Sequence, residues 1–301
     1  MSENVFDVII VGGSYSGLAA GMALGRALKK VLIIDDGKPC NRQTPYSHNF
    51  LTNDGKKPAE IASLAKEQVQ RYRTVEFFDG TAIHAMRTEE VFTISTDNQN
   101  TFKGINLVFA TGIKDILPSI DGIAESWGIS VLHCPYCHGY EVIDQPTGVL
   151  GNGDVGFDFA RLISNWTSAL TLFTNGTSTL TEIQRKKLAS HSIDLNEKEI
   201  SKLEHENAYV KRIIFKDGSY SFINAIYAPG PFEQHCKIPA ELGCELTEEG
   251  YIRTDGMHAT TVPGAYAIGD NTSKMRTVAG AVASGTSAGL IISKKMILDN
   301  F

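Results

Sequence analysis

The chain has 301 residues, 42% of them hydrophobic, and a formal charge of −6 at pH 7. That length is enough for two packed globular units. The mild acidity without a basic stripe speaks against nucleic acid as a partner, and no apolar run approaches a membrane span. Five cysteines in so long a chain, and an opening Met1-Ser2-Glu3-Asn4 that enters an apolar strand at once, without a basic stretch or cleavable segment, point to a reducing cytoplasm. There a paired cysteine motif is catalytic and not a structural staple.

In chain order, Val5 to Val11 reads as a buried parallel-type strand that runs into Gly12-Gly13-Ser14-Tyr15-Ser16-Gly17 and a helix over residues 18–24. A second strand, Val31 to Asp35, follows. Such a strand, turn and helix let a nucleotide pyrophosphate sit on free backbone N–H groups at the positive helix end, with glycines allowing close approach. Asp35, about 20 residues beyond the turn, is placed to accept from a ribose hydroxyl. Ser14 stands where a middle glycine is usual and slightly tightens the room for phosphate. Residues 92–95 and 101–102 flank Asp97 to Asn100 as a hairpin, and the strand over 107–109 ends in Ala110-Thr111-Gly112.

The same order of elements then recurs. Thr147 to Leu150 is a strand followed by Gly151-Asn152-Gly153-Asp154-Val155-Gly156, a strand over 170–173, a hairpin turning at Asp217-Gly218, and a strand ending Ala228-Pro229-Gly230. Two nucleotide-binding units in tandem, hence an α/β protein with two Rossmann-like three-layer domains, is the economical reading. Gly151, Gly153, Asp154 and Gly156 mark a candidate nicotinamide site. Thr174-Asn175-Gly176-Thr177, after its second strand, offers neither an acid for a ribose diol nor an arginine for a 2′-phosphate. The alternative is a surviving fold signature with poor nicotinamide binding. Near the end, the strand Gly264 to Asp270 finishes in Gly269-Asp270, and Gly280, Ala281, Ala283, Ser284 and Gly285 form a small-residue helix able to press against a ligand.

The most informative stretch is Cys134-Pro135-Tyr136-Cys137-His138, because two thiols at this spacing cycle between dithiol and disulfide. Pro135 fits a helix start, and a helix N-terminus favours the attacking thiolate. His138 is the candidate acid/base near neutral pH. The pattern also matches a haem attachment site and, with His133, half of a zinc site. The absence of an export signal argues against haem, and no second pair completes a zinc shell, so no metal is expected. Cys-Pro-Tyr-Cys also occurs in glutaredoxins, but after the first strand of a short domain, whereas here it lies mid-chain between nucleotide signatures. Cys40, Cys236 and Cys244 are isolated and read as packing or loop residues.

The glycine turn with Asp35, His48-Asn49-Phe50, Ala110-Thr111-Gly112, the central Cys-x-x-Cys before a second glycine turn and the late Gly269-Asp270 together resemble the low-molecular-weight thioredoxin reductases over almost the whole chain. The resemblance implies a discontinuous FAD-binding domain, residues 1–113 and 234–301, interrupted by a nicotinamide-type domain, 114–233, that carries the redox pair, in a homodimer. It implies FAD contacts at Gly12, Gly13, Ser14, Ser16, Gly17, Asp35, Asp36, Asn49, Ala82, Thr111, Gly112, Gly269, Asp270, Thr277 and Val278. It also implies that Cys137 faces the flavin while Cys134 exchanges with substrate.

Three departures stand out. His138 replaces the family's aspartate, residues 174–177 replace its arginine-rich NADPH loop, and Arg276-Thr277-Val278 replaces Arg-Gln-Ala. The run from Cys134 to Glu141 is similar to that of gliotoxin- and holomycin-type dithiol oxidases, which share the fold, use FAD and pass electrons from a small dithiol to oxygen. The expected activity is thus two-electron transfer between flavin and a thioredoxin-like protein, small disulfide or dithiol. It runs either as a reductase fed by NAD(P)H or as an oxidase that does not need it. A flavin-bearing redox sensor is the non-catalytic alternative.

Overall fold

A strand covered on both faces is a near-continuous apolar run, and β1 (Val5–Val11) and β2 (Val31–Asp35) fit that pattern over Val8–Val11 and Val31–Ile34, with Val8, Ile9, Ile10, Val31 and Ile33 fully buried. The computed structural model describes residues 5–301. They divide into two compact units, one of residues 5–42, 49–114 and 232–301, the other of residues 43–48 and 115–231.

In the first unit α1 (Tyr15–Arg26) joins β1 to β2, and the chain continues through α2 (Pro58–Gln70), β3 (Val75–Asp79), β4 (Ala82–Thr88), β5 (Val91–Thr96) and β6 (Thr101–Phe109). Among the described residues these strands order as β3-β2-β1-β6-β5-β4, parallel from β3 to β6 and antiparallel from β6 to β4. On one face Leu18, Ala20 and Leu24 of α1 pack with Val8, Ile10, Val31 and Ile33. On the other, Ile9, Val11, Leu32, Phe92, Ile94, Leu107 and Phe109 form a second core.

After β7 (Ile113–Asp115) the second unit runs through α3 (Ile123–Ser126), β8 (Val131–Leu132), α4 (Pro135–His138), β9 (Thr147–Leu150), α5 (Gly153–Ile163), β10 (Leu170–Phe173), α6 (Glu182–Ser190) and β11 (Asp194–Asn196). An antiparallel meander of β12 (Ile200–Glu206), β13 (Tyr209–Phe215) and β14 (Tyr220–Phe222) precedes β15 (Ala225–Tyr227). The parallel sheet is ordered β11-β10-β9-β15-β8. Phe157, Ala160 and Ile163 of α5 cover one face with Val149, Leu172 and Tyr227, while Phe173 and Ile226 join the meander's Leu203, Ile213 and Phe215 on the other.

The chain returns through β16 (Phe232–Gln234), which pairs with β7, then α7 (Ile238–Glu241), β17 (Ala265–Ala267) and α8 (Val278–Asp299). β17 takes the edge of β6 at residues 107–109, beyond the 101–104 stretch paired with β5. Among the small residues of α8, Gly285 and Gly289 face α1. A Cβ at Gly285 would stand 2.1 Å from the Ser16 carbonyl oxygen, and one at Gly289 2.8 Å from that of Ala20. They are small so that α8 and α1 can close together, backbone to backbone. No helix of the described residues is long and apolar enough to cross a membrane.

Candidate active site

The redox pair sits where β8 hands over to α4. Cys134 is the N-cap and Pro135 the first helical residue, which suits proline because its missing N–H is one of those left unpaired at a helix start. One turn of helix brings the two Sγ atoms to 2.6 Å. Tyr136 meets Trp166 edge-on at 5.5 Å, and His133 stacks on Trp127 at 5.8 Å. Among the described residues no group of three or more His, Cys, Asp or Glu is arranged to hold a metal.

Burial lowers the His138 pKa to about 4, with the neighbouring His48 adding to the effect. The residue is therefore an uncharged imidazole at neutral pH and titrates well below the near-neutral range that a solvated histidine has. His48 belongs to the 43–48 segment, and its Nε2 lies 3.4 Å from Glu141 Oε1. Tyr227, at the end of β15, has its phenol pKa raised by burial first and then by Cys134, Glu141 and Cys137. Sequence reasoning gave no role to His48, Glu141 or Tyr227. The first two stood inside quoted motifs, whereas Tyr227 lies in an ordinary apolar strand and carries no local signal. Burial pushes the thiols of Cys236 and Cys244 up, which keeps them protonated and inert.

The first glycine turn lies at the carboxyl ends of β1, β2, β6 and β17, where α/β sheets take their ligands. Gly12 has φ +103°, and a Cβ there would stand 2.4 Å from the Ala110 carbonyl oxygen. Asp35 accepts from the Gly13 N–H at 2.8 Å through Oδ1 and from the Gly37 N–H at 3.2 Å through Oδ2. It thus anchors the turn, and each carboxylate oxygen keeps a lone pair for a ribose hydroxyl. A Cβ at Gly269 would meet Ser16 Oγ at 2.7 Å, and the Asn271 side chain donates to the Phe109 carbonyl at 3.0 Å and to Thr111 Oγ1 at 3.2 Å.

These contacts join Gly12, Gly13, Ser16, Asp35, Thr111 and Gly269 with their chain neighbours Ser14, Gly17, Gly112 and Asp270. Four other expected residues have local roles outside that cluster. Asn49 is exposed at φ +58°, Ala82 begins β4, Thr277 caps α8 by accepting from Gly280 N–H at 3.0 Å, and Val278 is the first residue of that helix. Asp36 accepts from the Lys38 N–H at 3.2 Å. Ser14 makes no side-chain cap and the first turn of α1 carries no acid. The helix therefore presents open N–H groups and an uncompensated positive end. These features fit the pyrophosphate and ribose of FAD.

The second turn is built differently. Asn152 caps α5, its Oδ1 accepting from the N–H groups of Gly153 and Thr179, both at 2.8 Å, while its Nδ2 donates to the Thr177 carbonyl at 2.9 Å. The loop after β10 is thereby tied onto the turn. Asp154, in the first turn of α5, is held by Gln184 Nε2 at 2.7 Å and puts negative charge where a pyrophosphate would rest. Thr174 donates to the Gly176 carbonyl at 2.7 Å and Asn175 accepts from the Ile200 N–H at 2.7 Å. Both side chains are spent on local backbone. Arg185 is bound by Glu197 at 2.8 Å, and that carboxylate also takes the Ser178 N–H at 2.7 Å. These residues do not fit a nicotinamide cofactor bearing a 2′-phosphate.

Two dinucleotide-type sheets, one of which carries a cysteine pair across a short helix, define the class of two-electron disulfide oxidoreductases. The family model described as pyridine nucleotide-disulphide oxidoreductase matches residues 6–285, and the chain belongs to that family. It is 29% identical to the thioredoxin reductase tcpT of Claviceps purpurea, covering 99% of this chain and 96% of that one. The solved structure of HlmI superposes with a TM-score of 0.94 at 30% identity, covering 100% of this chain and 95% of the other. That of an oxidoreductase from Agrobacterium tumefaciens gives 0.91 at 34%, covering 98% and 99%. The protein is a thioredoxin reductase-like, FAD-dependent disulfide oxidoreductase.

Proposed function

We propose that the protein oxidises a small dithiol to a disulfide through the Cys134–Cys137 pair, with oxygen as the final acceptor. The observation that carries this direction is the second glycine turn, tied to its own loop by Asn152 and lacking a charged group for a nicotinamide ribose. We assign FAD to the first unit, at the Gly12–Gly17 turn, Asp35, Thr111, Gly112, Gly269 and Asp270, with Asp36, Asn49, Ala82, Thr277 and Val278 as further contacts. FAD would supply the route from the reduced cysteine pair to oxygen, which no side chain provides.

A substrate thiolate attacks Cys134 Sγ, the Cys134–Cys137 bond breaks, and Cys137 leaves as a thiolate. The second substrate thiol then attacks the mixed disulfide, releasing the oxidised product and the Cys134 thiol. The released proton leaves to solvent, because His138, beside Cys137, is uncharged above about pH 4 and does not retain it. The nicotinamide-type domain, residues 114–233, serves in this reading as the carrier of the redox pair. A homodimer in the cytoplasm completes it.

The reverse direction, reduction of a thioredoxin-like protein or small disulfide at the expense of NAD(P)H, is favoured by the name thioredoxin reductase that curated relatives bear. Anaerobic titration of the flavin-loaded protein with a small dithiol, NADH and NADPH in turn decides between them. Prompt bleaching of the flavin by dithiol, and only slow bleaching by either nicotinamide, is the expected outcome. Prompt bleaching by either nicotinamide overturns the oxidase direction.

A further inference from the structure

Asn271 ends the Gly269–Asn271 turn that follows β17, and it is wholly buried. Its Nδ2 spends both hydrogens, one on the Phe109 carbonyl at 3.0 Å and one on Thr111 Oγ1 at 3.2 Å. Its Oδ1 is buried without a hydrogen-bond partner among the described residues. A leucine would fill a similar space without that cost, so the amide calls for a reason beyond packing. Anchoring the turn is not that reason. The Asn271 carbonyl already accepts from the Ile252 N–H at 2.9 Å and from Gln234 Nε2 at 3.0 Å, and the Gly269 N–H donates to Ser284 Oγ at 3.1 Å. The Phe109 carbonyl also takes the Ile268 N–H at 3.0 Å. What remains specific to the amide is its bond to Thr111.

We infer that Asn271 is a positioning residue for the cofactor, which acts by fixing the Thr111 hydroxyl as a hydrogen-bond donor to FAD. The inference rests on the assignment of FAD to the first unit. An amide nitrogen donates and cannot accept. Thr111 Oγ1 therefore receives one hydrogen from Asn271 and has to offer its own elsewhere. Among the described residues the Asn271 amide is the one hydrogen-bond partner of that hydroxyl, and Thr111 is half-buried just beyond the carboxyl end of β6, within the cluster that fits FAD. The cofactor's phosphate and hydroxyl oxygens are acceptors of the kind this donor lacks. Without the amide the hydroxyl rotates freely, and a ligand has to order it on binding.

The test titrates flavin-free, full-length protein with FAD and reads binding from the change in flavin fluorescence. Asn271→Leu should weaken binding about fivefold, and Thr111→Val by a similar factor. The cost of Asn271→Leu should persist in a Thr111→Ser background, which keeps the hydroxyl, and vanish to within about twofold in a Thr111→Val background. If Asn271→Leu does not fold, the near-isosteric Asn271→Asp, whose carboxylate accepts where the amide donates, takes its place in the same three backgrounds. An equal loss in all three, or no loss in any, makes Asn271 a residue of the fold alone and overturns the inference. Wild-type protein that takes up no FAD refutes the cofactor assignment and the inference with it, so the two failures are told apart.

Discussion

The two glycine turns are written in nearly the same letters and present opposite surfaces. At Gly12–Gly17 the N-cap side chain is idle and the helix opens without an acid. At Gly151–Gly156 the N-cap is engaged and Asp154 stands in the first turn. A glycine string thus specifies a tight strand-to-helix turn. Whether that turn receives a phosphate depends on what the rest of the chain lays over it.

The sharpest separation of the two regions comes from the thiols that only one unit carries. Cys134→Ser and Cys137→Ser should each abolish turnover, since one thiol cannot resolve a mixed disulfide. If Cys137 faces the flavin, Cys134→Ser keeps a long-wavelength thiolate–flavin absorption band and Cys137→Ser lacks it. The same band in both variants would refute that assignment.

Next in size is the contrast between the turns themselves. Gly12→Ala places a Cβ 2.4 Å from a backbone oxygen, whereas at Gly153 the near atom is a threonine hydroxyl at 3.0 Å. We expect Gly12→Ala to be purified with less than about a tenth of the wild-type flavin, and Gly153→Ala to retain it. Equal flavin content in the two, read at the visible absorption maximum, would erase the distinction.

A smaller effect attends recognition at the second turn. With no cation offered to a 2′-phosphate, NADH and NADPH should reduce the flavin slowly and at rates within about threefold of one another. Stopped-flow traces with a strong NADPH preference would contradict the description of that loop.

The smallest expected effect is a pH dependence of stability. His138 has a folded-state pKa near 4, below its ordinary value of 6.5, so the unfolded chain binds more protons between these values. The stabilisation is complete above pH 6.5 and is lost as pH falls toward 4. Thermal melts across that window should show a lower Tm at acid pH, with a shallower slope in His138→Gln. Identical slopes would mean that the imidazole is not desolvated.

Local patterns made the first unit legible. The apolar runs of β1 and β2, the turn between them and the acid at position 35 are all written in contiguous sequence, and the Cys134–Cys137 helix is announced by Pro135. The closure of the second turn was hidden because Thr177 and Thr179 reach Asn152 across more than twenty residues, although an asparagine at that spot is a good N-cap. The packing of Gly285 against α1 was hidden for the same reason, since glycine leaves open whether a helix approaches a ligand or another helix. The depressed pKa of His138 and the buried hydroxyl of Tyr227 arise from burial, which no motif encodes.

Residues 43–48 sit with the second unit, although the chain on either side of them belongs to the first. The second unit is therefore not a transplantable cassette. A fragment of residues 115–231 would leave His48 behind, strip Glu141 of its imidazole partner and remove the one neighbouring side chain that adds to the effect of burial on His138. Any exchange of redox modules between relatives of this protein has to move two separate stretches of sequence. Substitutions selected in the loop between β2 and α2 can retune a cysteine pair encoded nearly a hundred residues downstream.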